Sequence, residues 1–299
     1  MGHWVTGFCD RSASFGLIMV RQGDRWTFRV SFEILLDLKD LHLLEALHAF
    51  FKVGRIFTTA TTATYRVTGY SGLTVIINHF TSFPLISSKY VVFKLWAEAV
   101  HLIGTKQHLV PATFAYLMTV YAALGRGASK AVMAAFPDLT AIAVPQHTLA
   151  ITAGTLNPWW LSGYLTLYCS FVLSVTDSGW GNSTYNHFRH FWTASFKAIN
   201  QPLAEVIGAY LGVGVILRSD GRVDVESATL DHALSLIAFL DAYPLQSYKQ
   251  GHFEVWRVYV ESLEDDRFIG LQRKRLPNQS EDRFSYYASL SDELRKLQR

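Results

Sequence analysis

Divalent cations on a phosphate need oxygen ligands, usually including one or two carboxylates, and this chain carries half of an arrangement that could supply them. Asp10 sits in the stretch Trp4-Val5-Thr6-Gly7-Phe8-Cys9-Asp10-Arg11-Ser12-Ala13-Ser14-Phe15. At an offset of 156 residues the pattern returns as Trp160-Leu161-Ser162-Gly163-Tyr164-Leu165-Thr166-Leu167-Tyr168-Cys169-Ser170-Phe171, with Thr166 in the register of Asp10. A neutral threonine hydroxyl is a poor Mg²⁺ ligand, and no Asp or Glu occurs from Ser162 to Thr176 to replace the acid. If the two copies once held metal between a pair of acids, one of the pair is gone.

Other chemistries find less support. Cys9 and Cys169 lie within the two motifs without Cys-x-x-Cys spacing, so neither a zinc site nor a disulfide framework is implied. His187 and His190 are three apart on a predicted strand and point to opposite faces, which favours packing or nucleic-acid contact over metal binding.

The elements that position these residues are themselves repeated. Leu43-Leu44-Glu45-Ala46-Leu47 with Val53-Gly54-Arg55-Ile56 matches Leu203-Ala204-Glu205-Val206-Ile207 with Val213-Gly214-Val215-Ile216, at an offset of 160. Phe83-Pro84-Leu85-Ile86-Ser87-Ser88-Lys89 matches Tyr243-Pro244-Leu245-Gln246-Ser247-Tyr248-Lys249 at the same offset. One period near half the chain length predicts two related subdomains. Each half reads as helix, hairpin, helix, hairpin, helix, helix, with Gln22-Gly23-Asp24 and Ser219-Asp220-Gly221 as turns. The predicted boundaries are 1–103 for the first repeat, 104–155 for a linker holding one short helix, 156–264 for the second repeat and 265–299 for a charged extension. Gly7 and Gly163, at the centre of the two motif helices, are small enough to permit close backbone approach at a helix crossing.

Alternation marks a candidate binding face. Trp26, Phe28, Val30, Phe32 and Ile34 point one way, while Arg25, Thr27, Arg29, Ser31 and Glu33 point the other. In the second half His187, Arg189, Phe191, Thr193, Ser195 and Lys197 would be presented. Asp224 and Glu226 would put two acids on that second face, where they would repel phosphate. Residues 1–155 hold 13 Lys+Arg against 8 Asp+Glu, and residues 156–299 hold 14 against 16, so any electrostatic grip is expected to centre on the first half. Leu156 to Val175 is uncharged for 20 residues, but Pro158 and the interrupting Ser162, Gly163, Thr166 and Ser170 predict a buried helix running into a strand, not a membrane span. The motif begins four residues from the start, which leaves no room for a secretory signal within the sequence.

The ordered set of motifs, with Ala135-Phe136-Pro137-Asp138-Leu139 and Leu156-Asn157-Pro158 between the halves, resembles the two-repeat LAGLIDADG homing endonucleases and intron maturases of organelle genomes, over nearly the whole chain. The resemblance implies an α+β fold of two pseudo-symmetric α-β-β-α-β-β-α-α subdomains. It also implies antiparallel sheets forming a saddle for nucleic acid, a central two-helix interface, and a monomer that mimics a dimer. It implies that Asp10 is the retained central acid and Thr166 the position of the lost one. Lys89 and Lys249 then stand where the family often has a basic residue near the cleavage site. The family usually follows its acid with a small Gly-x-Gly-like segment; here Arg11 follows Asp10, and Leu167-Tyr168 follow Thr166.

The reading this favours is a catalytically lapsed relative that binds structured RNA in a mitochondrion or other organelle, as an intron maturase or a component bound to ribosomal RNA, with other proteins of a ribonucleoprotein as further partners. No cofactor is expected, and Mg²⁺ only if residual nuclease activity survives through Asp10. The alternative is a site-specific endonuclease or nickase acting on duplex DNA; a purely structural scaffold is the third reading. Nucleic-acid contacts are expected from Arg11, Arg25, Thr27, Arg29, Arg55, Arg66, His187, Arg189, Lys197 and the run Arg273-Lys274-Arg275.

Overall fold

A computed structural model of the 299-residue chain describes every residue except 125–127, 146, 181–182, 228, 273–279 and 299. It also leaves the side chains of 175–188 and 264–284 undescribed. The chain divides into two units, Met1–Ala150 and Ile151–Arg299.

In the first unit α1 (Gly2–Ser12) runs into β1 (Ala13–Gln22), which pairs antiparallel with β2 (Arg25–Asp37) across Gly23 and Asp24. Gly23 takes a left-handed φ of 62°, which the tight turn requires and a side chain disfavours. Then come α2 (Leu41–Phe51), β3 (Arg55–Thr58), β4 (Thr62–Val67), α3 (Tyr70–Ser82) and α4 (Lys89–Gly104). The sheet order is β1-β2-β4-β3. One face is apolar and covered: Phe15, Phe32, Ile34 and Tyr65 are buried with Phe80, Phe93 and Trp96 of the helices. The sheet therefore has one packed and one presented face.

The segment predicted as a linker is more structured than the sequence suggested. It forms α5 (Pro111–Leu124) and α6 (Lys130–Ala135), and Leu117, Val120, Tyr121 and Val132 close over Leu17, Met19 and Phe28 at the far end of the β1–β2 hairpin.

The second unit repeats the order: α7 (Pro158–Leu165), β5 (Cys169–Trp180), β6 (Ser183–Lys197), α8 (Gln201–Leu211), β7 (Gly214–Leu217), β8 (Arg222–Ser227), α9 (Leu230–Ala242) and α10 (Lys249–Gln272), with sheet order β5-β6-β8-β7. Asn157 caps α7 by accepting from the Trp159 and Trp160 amides, and Pro158 occupies the first turn, where its missing N–H costs nothing. The uncharged stretch thus becomes an eight-residue helix followed by a strand, and among the described residues no helix is long and apolar enough to cross a membrane. The last helix, α11 (Ser280–Leu297), lies within the segment read as a charged extension. Its Tyr287, Leu290 and Leu294 are buried; the Ser291 hydroxyl donates to the Leu173 carbonyl at 3.1 Å and the Gln298 amide to that of Phe171 at 2.8 Å. In each unit, then, a helix downstream of the repeat covers the hairpin.

Candidate nucleic-acid interface

The presented face of the first sheet is assembled by strand register. Arg25 lies opposite Gln22, Thr27 opposite Val20 and Arg29 opposite Ile18. Glu33 neighbours Arg66, which in turn faces Arg55. Arg25, Arg29, Arg55 and Arg66 are all exposed and Thr27 is half-buried, so the alternation read from β2 holds. Arg66 is held by Glu33 at 3.0 Å and lies 5.5 Å above the Phe57 ring. Arg25, Arg29 and Arg55 enter no ion pair among the described residues, so this face carries three exposed cations without a carboxylate partner.

The second sheet corrects one expectation. Asp224 and Glu226 are on β8 as predicted, but both are closed by Arg218: its Nε donates to Asp224 at 2.6 Å and its Nη2 to Glu226 at 2.6 Å. Ser195 adds a hydroxyl donor to Asp224 at 2.6 Å. Burial pushes the Asp224 carboxyl up, but Ser195 and Arg218 outweigh it and hold the group below the usual carboxylate range. The single charge of Arg218 thus offsets one of the two carboxylates, and their joint repulsion of phosphate is smaller than the strand pattern alone implied. Arg189 and Lys197 are exposed on the same face, with half-buried Phe191 between them in sequence. His190 points to the packed side, its ring 6.2 Å from that of Tyr259, and burial lowers its pKa. The side chain of His187 and the whole of Arg273-Lys274-Arg275 lie outside the described residues.

The central acid position has a different character. Asp10, in the last turn of α1, is 2 % exposed. Its Oδ2 accepts from the Ile86 amide at 2.6 Å and the Ser87 amide at 3.0 Å, and its Oδ1 from the Ser87 hydroxyl at 2.5 Å. Burial pushes this carboxyl above the ordinary range, while the Ser87 and Ile86 donors and nearby Lys89 pull against it. The carboxylate therefore fastens α1 to the segment that opens α4. In the second unit Thr166 is fully buried; its hydroxyl donates back to the Ser162 carbonyl at 2.8 Å, and Ser247 donates to the Thr166 carbonyl at 2.6 Å. The Ser87 and Ser247 attachments are the repeat's own signature, legible in the matched segments at 83–89 and 243–249 but not singled out there.

Lys89 donates from Nζ to the carbonyls of Ala13 at 2.7 Å, Arg11 at 3.1 Å and Cys9 at 3.3 Å, and Lys249 donates to Cys169 at 2.5 Å. A cation on the carbonyls that end a helix satisfies groups the helix cannot and suits the negative end of its dipole. Arg11 is half-buried, and Gly7 and Gly163 are buried on α1 and α7. At the ends of the motifs Ser12 is half-buried and donates to the Phe8 carbonyl at 2.5 Å, and Tyr168 is 40 % exposed. Neither is acidic. Among the described residues no group of three His, Cys, Asp or Glu side chains converges to hold a metal. A divalent ion needs hard oxygen donors; here Asp10 accepts three hydrogen bonds from Ile86 and Ser87, and Thr166 offers a buried hydroxyl.

Two repeats of helix-hairpin-helix-hairpin-helix-helix, each with a four-stranded antiparallel sheet and a glycine-centred first helix, define a two-repeat α+β protein. The chain belongs to the LAGLIDADG endonuclease family, whose model matches residues 5–100 and 161–260. A probable intron-encoded endonuclease 3 of Neurospora crassa is 26 % identical over 265 residues, covering 85 % of this chain and 49 % of that one. An uncharacterised cox1 intron-2 protein of Schizosaccharomyces pombe is 29 % identical over 109 residues, covering 36 % of this chain and 33 % of that protein. The chain thus spans about half or less of the length of these curated relatives. In fold it is similar to I-SmaMI bound to uncleaved DNA target in the presence of calcium ions, at 22 % identity, a TM-score of 0.86 and 99 % of both chains. The α+β fold of two repeats with two four-stranded antiparallel sheets is therefore the one the resemblance implied.

Proposed function

We infer that this chain binds duplex DNA as a homing-endonuclease-like protein and does not cut it by the paired-metal route. The observation that carries the second half of this reading is the state of Asp10: buried, accepting three hydrogen bonds from Ile86 and Ser87, and matched by a neutral, buried Thr166. The partner half rests on the presented faces, with Arg25, Arg29 and Arg55 on one sheet and Arg189 and Lys197 on the other, and on the similarity to proteins whose names specify DNA targets. Duplex DNA accordingly replaces structured RNA as the first partner. Divalent metal belongs to the family's cleaving members, and Mg²⁺ matters for this chain only if strand cleavage is found. Relatives named for introns, one of them in cox1, support a mitochondrial setting.

Structured RNA, intron or ribosomal, is the second reading. It is favoured by Phe57, 49 % exposed on the presented face of β3, since an exposed ring there suits unpaired bases better than a closed duplex.

The test is selection of a target from a random duplex library at fixed salt, in parallel with capture of intron and ribosomal RNA, followed by incubation of the selected nucleic acid with Mg²⁺ or Mn²⁺. Salt-dependent retention of a duplex sequence without strand breaks is the expected result. Metal-dependent breaks abolished by Asp10→Asn would overturn the lapse and make the protein an endonuclease. Enrichment of RNA alone would replace DNA with the second reading.

A further inference from the structure

At the far end of the β1–β2 hairpin the first unit has a cleft of about 730 Å³ that no step above uses. Its walls include Trp26, Phe114 and Phe136 from β2, α5 and the end of α6, with Arg25, Thr27 and His108 beside them. Phe114 packs on Phe28 with ring centroids 5.0 Å apart, and Trp26 meets Phe136 edge-on at 5.9 Å. The rings are thus anchored from behind by the hairpin core and do not have to be ordered when something enters. The walls contain no acidic side chain, and Arg25 enters no ion pair among the described residues. Among the described residues the Nδ1 of His108 is buried without a hydrogen-bond partner, beside the aromatic walls. The volume falls within the ordinary range for small-ligand sites of roughly 300–1,000 Å³.

Aromatic walls, one free guanidinium and one unpartnered ring nitrogen form the chemistry of a nucleotide site: rings for a base face, a cation for its phosphate, and a hydrogen-bonding atom for a base edge. Arg25 and Thr27 belong both to the cleft and to the presented face of β2, so the cleft continues the cationic surface round the hairpin end. We propose that this cleft takes a single unstacked nucleotide of the bound nucleic acid, its base among Trp26, Phe114 and Phe136 and its phosphate at Arg25. This rests on the nucleic-acid-binding reading above for the source of the nucleotide, while the cleft's own chemistry does not depend on the target.

The experiment uses the full chain and two fluorescein-labelled duplexes of one sequence, fully paired or carrying one bulged 2-aminopurine nucleotide, with anisotropy for affinity and 2-aminopurine emission for stacking. The bulged duplex is expected to bind about tenfold more tightly with its 2-aminopurine quenched. Phe136→Leu, which keeps apolar volume but removes a ring, should abolish both the advantage and the quenching and leave the paired affinity within about twofold. His108→Leu serves as a second, independent variant, expected to reduce the advantage. Equal affinities for the two duplexes would overturn the cleft while leaving duplex binding intact. If neither duplex binds, the general reading fails and 2-aminopurine 5′-monophosphate at millimolar concentration decides the cleft: quenching lost in Phe136→Leu supports it, and no quenching overturns it.

Discussion

Ser87 holds Asp10 at both carboxylate oxygens, its amide on Oδ2 at 3.0 Å and its hydroxyl on Oδ1 at 2.5 Å. With Ile86 it turns a residue that looked like chemistry in the sequence into a fastening between α1 and the start of α4. Asp10→Ala would leave two amides and a hydroxyl without their acceptor, each at a cost of about 1–3 kcal/mol when buried. Urea unfolding should show a loss of about 3 kcal/mol or more, with the affinity for duplex DNA at 20 °C changed little as long as the protein is folded. A loss below about 0.5 kcal/mol would mean that the acid is not structural.

His79 offers a pH dependence of definite sign. It is 9 % exposed, shares a 3.0 Å hydrogen bond with the Thr6 hydroxyl, and is lowered by burial, with His3 adding to the effect, to a pKa of about 4. The folded state therefore binds fewer protons than the unfolded one between about 4 and the ordinary value near 6.5. The contribution of neutral His79 is complete above that ordinary value and falls away as the pH drops toward 4, by up to about 3 kcal/mol. Urea midpoints taken from pH 7.5 to 4.5 should fall, and His79→Gln should flatten the fall. An unchanged slope in the variant would assign the acid sensitivity elsewhere.

Arg218 is the residue on which the second sheet's electrostatics turn. Arg218→Ala uncovers Asp224 and Glu226 on a face that also carries Arg189 and Lys197. Affinity for duplex DNA at moderate salt should drop about tenfold, and adding Asp224→Asn and Glu226→Gln to the variant should recover most of it. If the single variant binds as the wild type does, this part of the sheet is not near phosphate.

The closing helix of the second unit predicts a sharp truncation boundary. Ending the chain before Ser280 removes Tyr287, Leu290 and Leu294 from the hairpin core, each contributing roughly 1.5–3 kcal/mol by burial. A chain ending at 272 should unfold at markedly lower urea or be recovered insoluble, whereas trimming the last residue should leave the midpoint unchanged. A soluble, cooperatively unfolding short form would show that α11 is dispensable.

The repeat was legible because it is written in residue types that folding itself demands: the glycine-centred motifs, the capping Asn157-Pro158 and the strict alternation from Arg25 to Glu33. What escaped the sequence were relations set by tertiary direction. Asp10 and Ser87 are 77 positions apart, and whether a helical acid faces a groove or a neighbouring amide depends on rotation about the helix axis, which a motif does not encode. Arg218 follows the four-residue strand β7 and carries no periodic signal, so its closure on Asp224 and Glu226 appears only in three dimensions. The 104–155 segment read as a connector because its alanines and short apolar runs have weak amphipathic character; its helices are specified by Leu17, Met19 and Phe28, which need cover.

That dependence gives each half of the gene a natural seam. A recombination joint at Ala150–Ile151 hands on α5 and α6 together with the hairpin they roof, and leaves α11 with its own. A joint at the end of the first repeat, near 104, separates Leu117, Val120 and Val132 from Leu17 and Phe28 and passes on a half with its roof removed. Heritable exchange of halves among proteins of this architecture is therefore constrained less by where a motif ends than by where its shelter does.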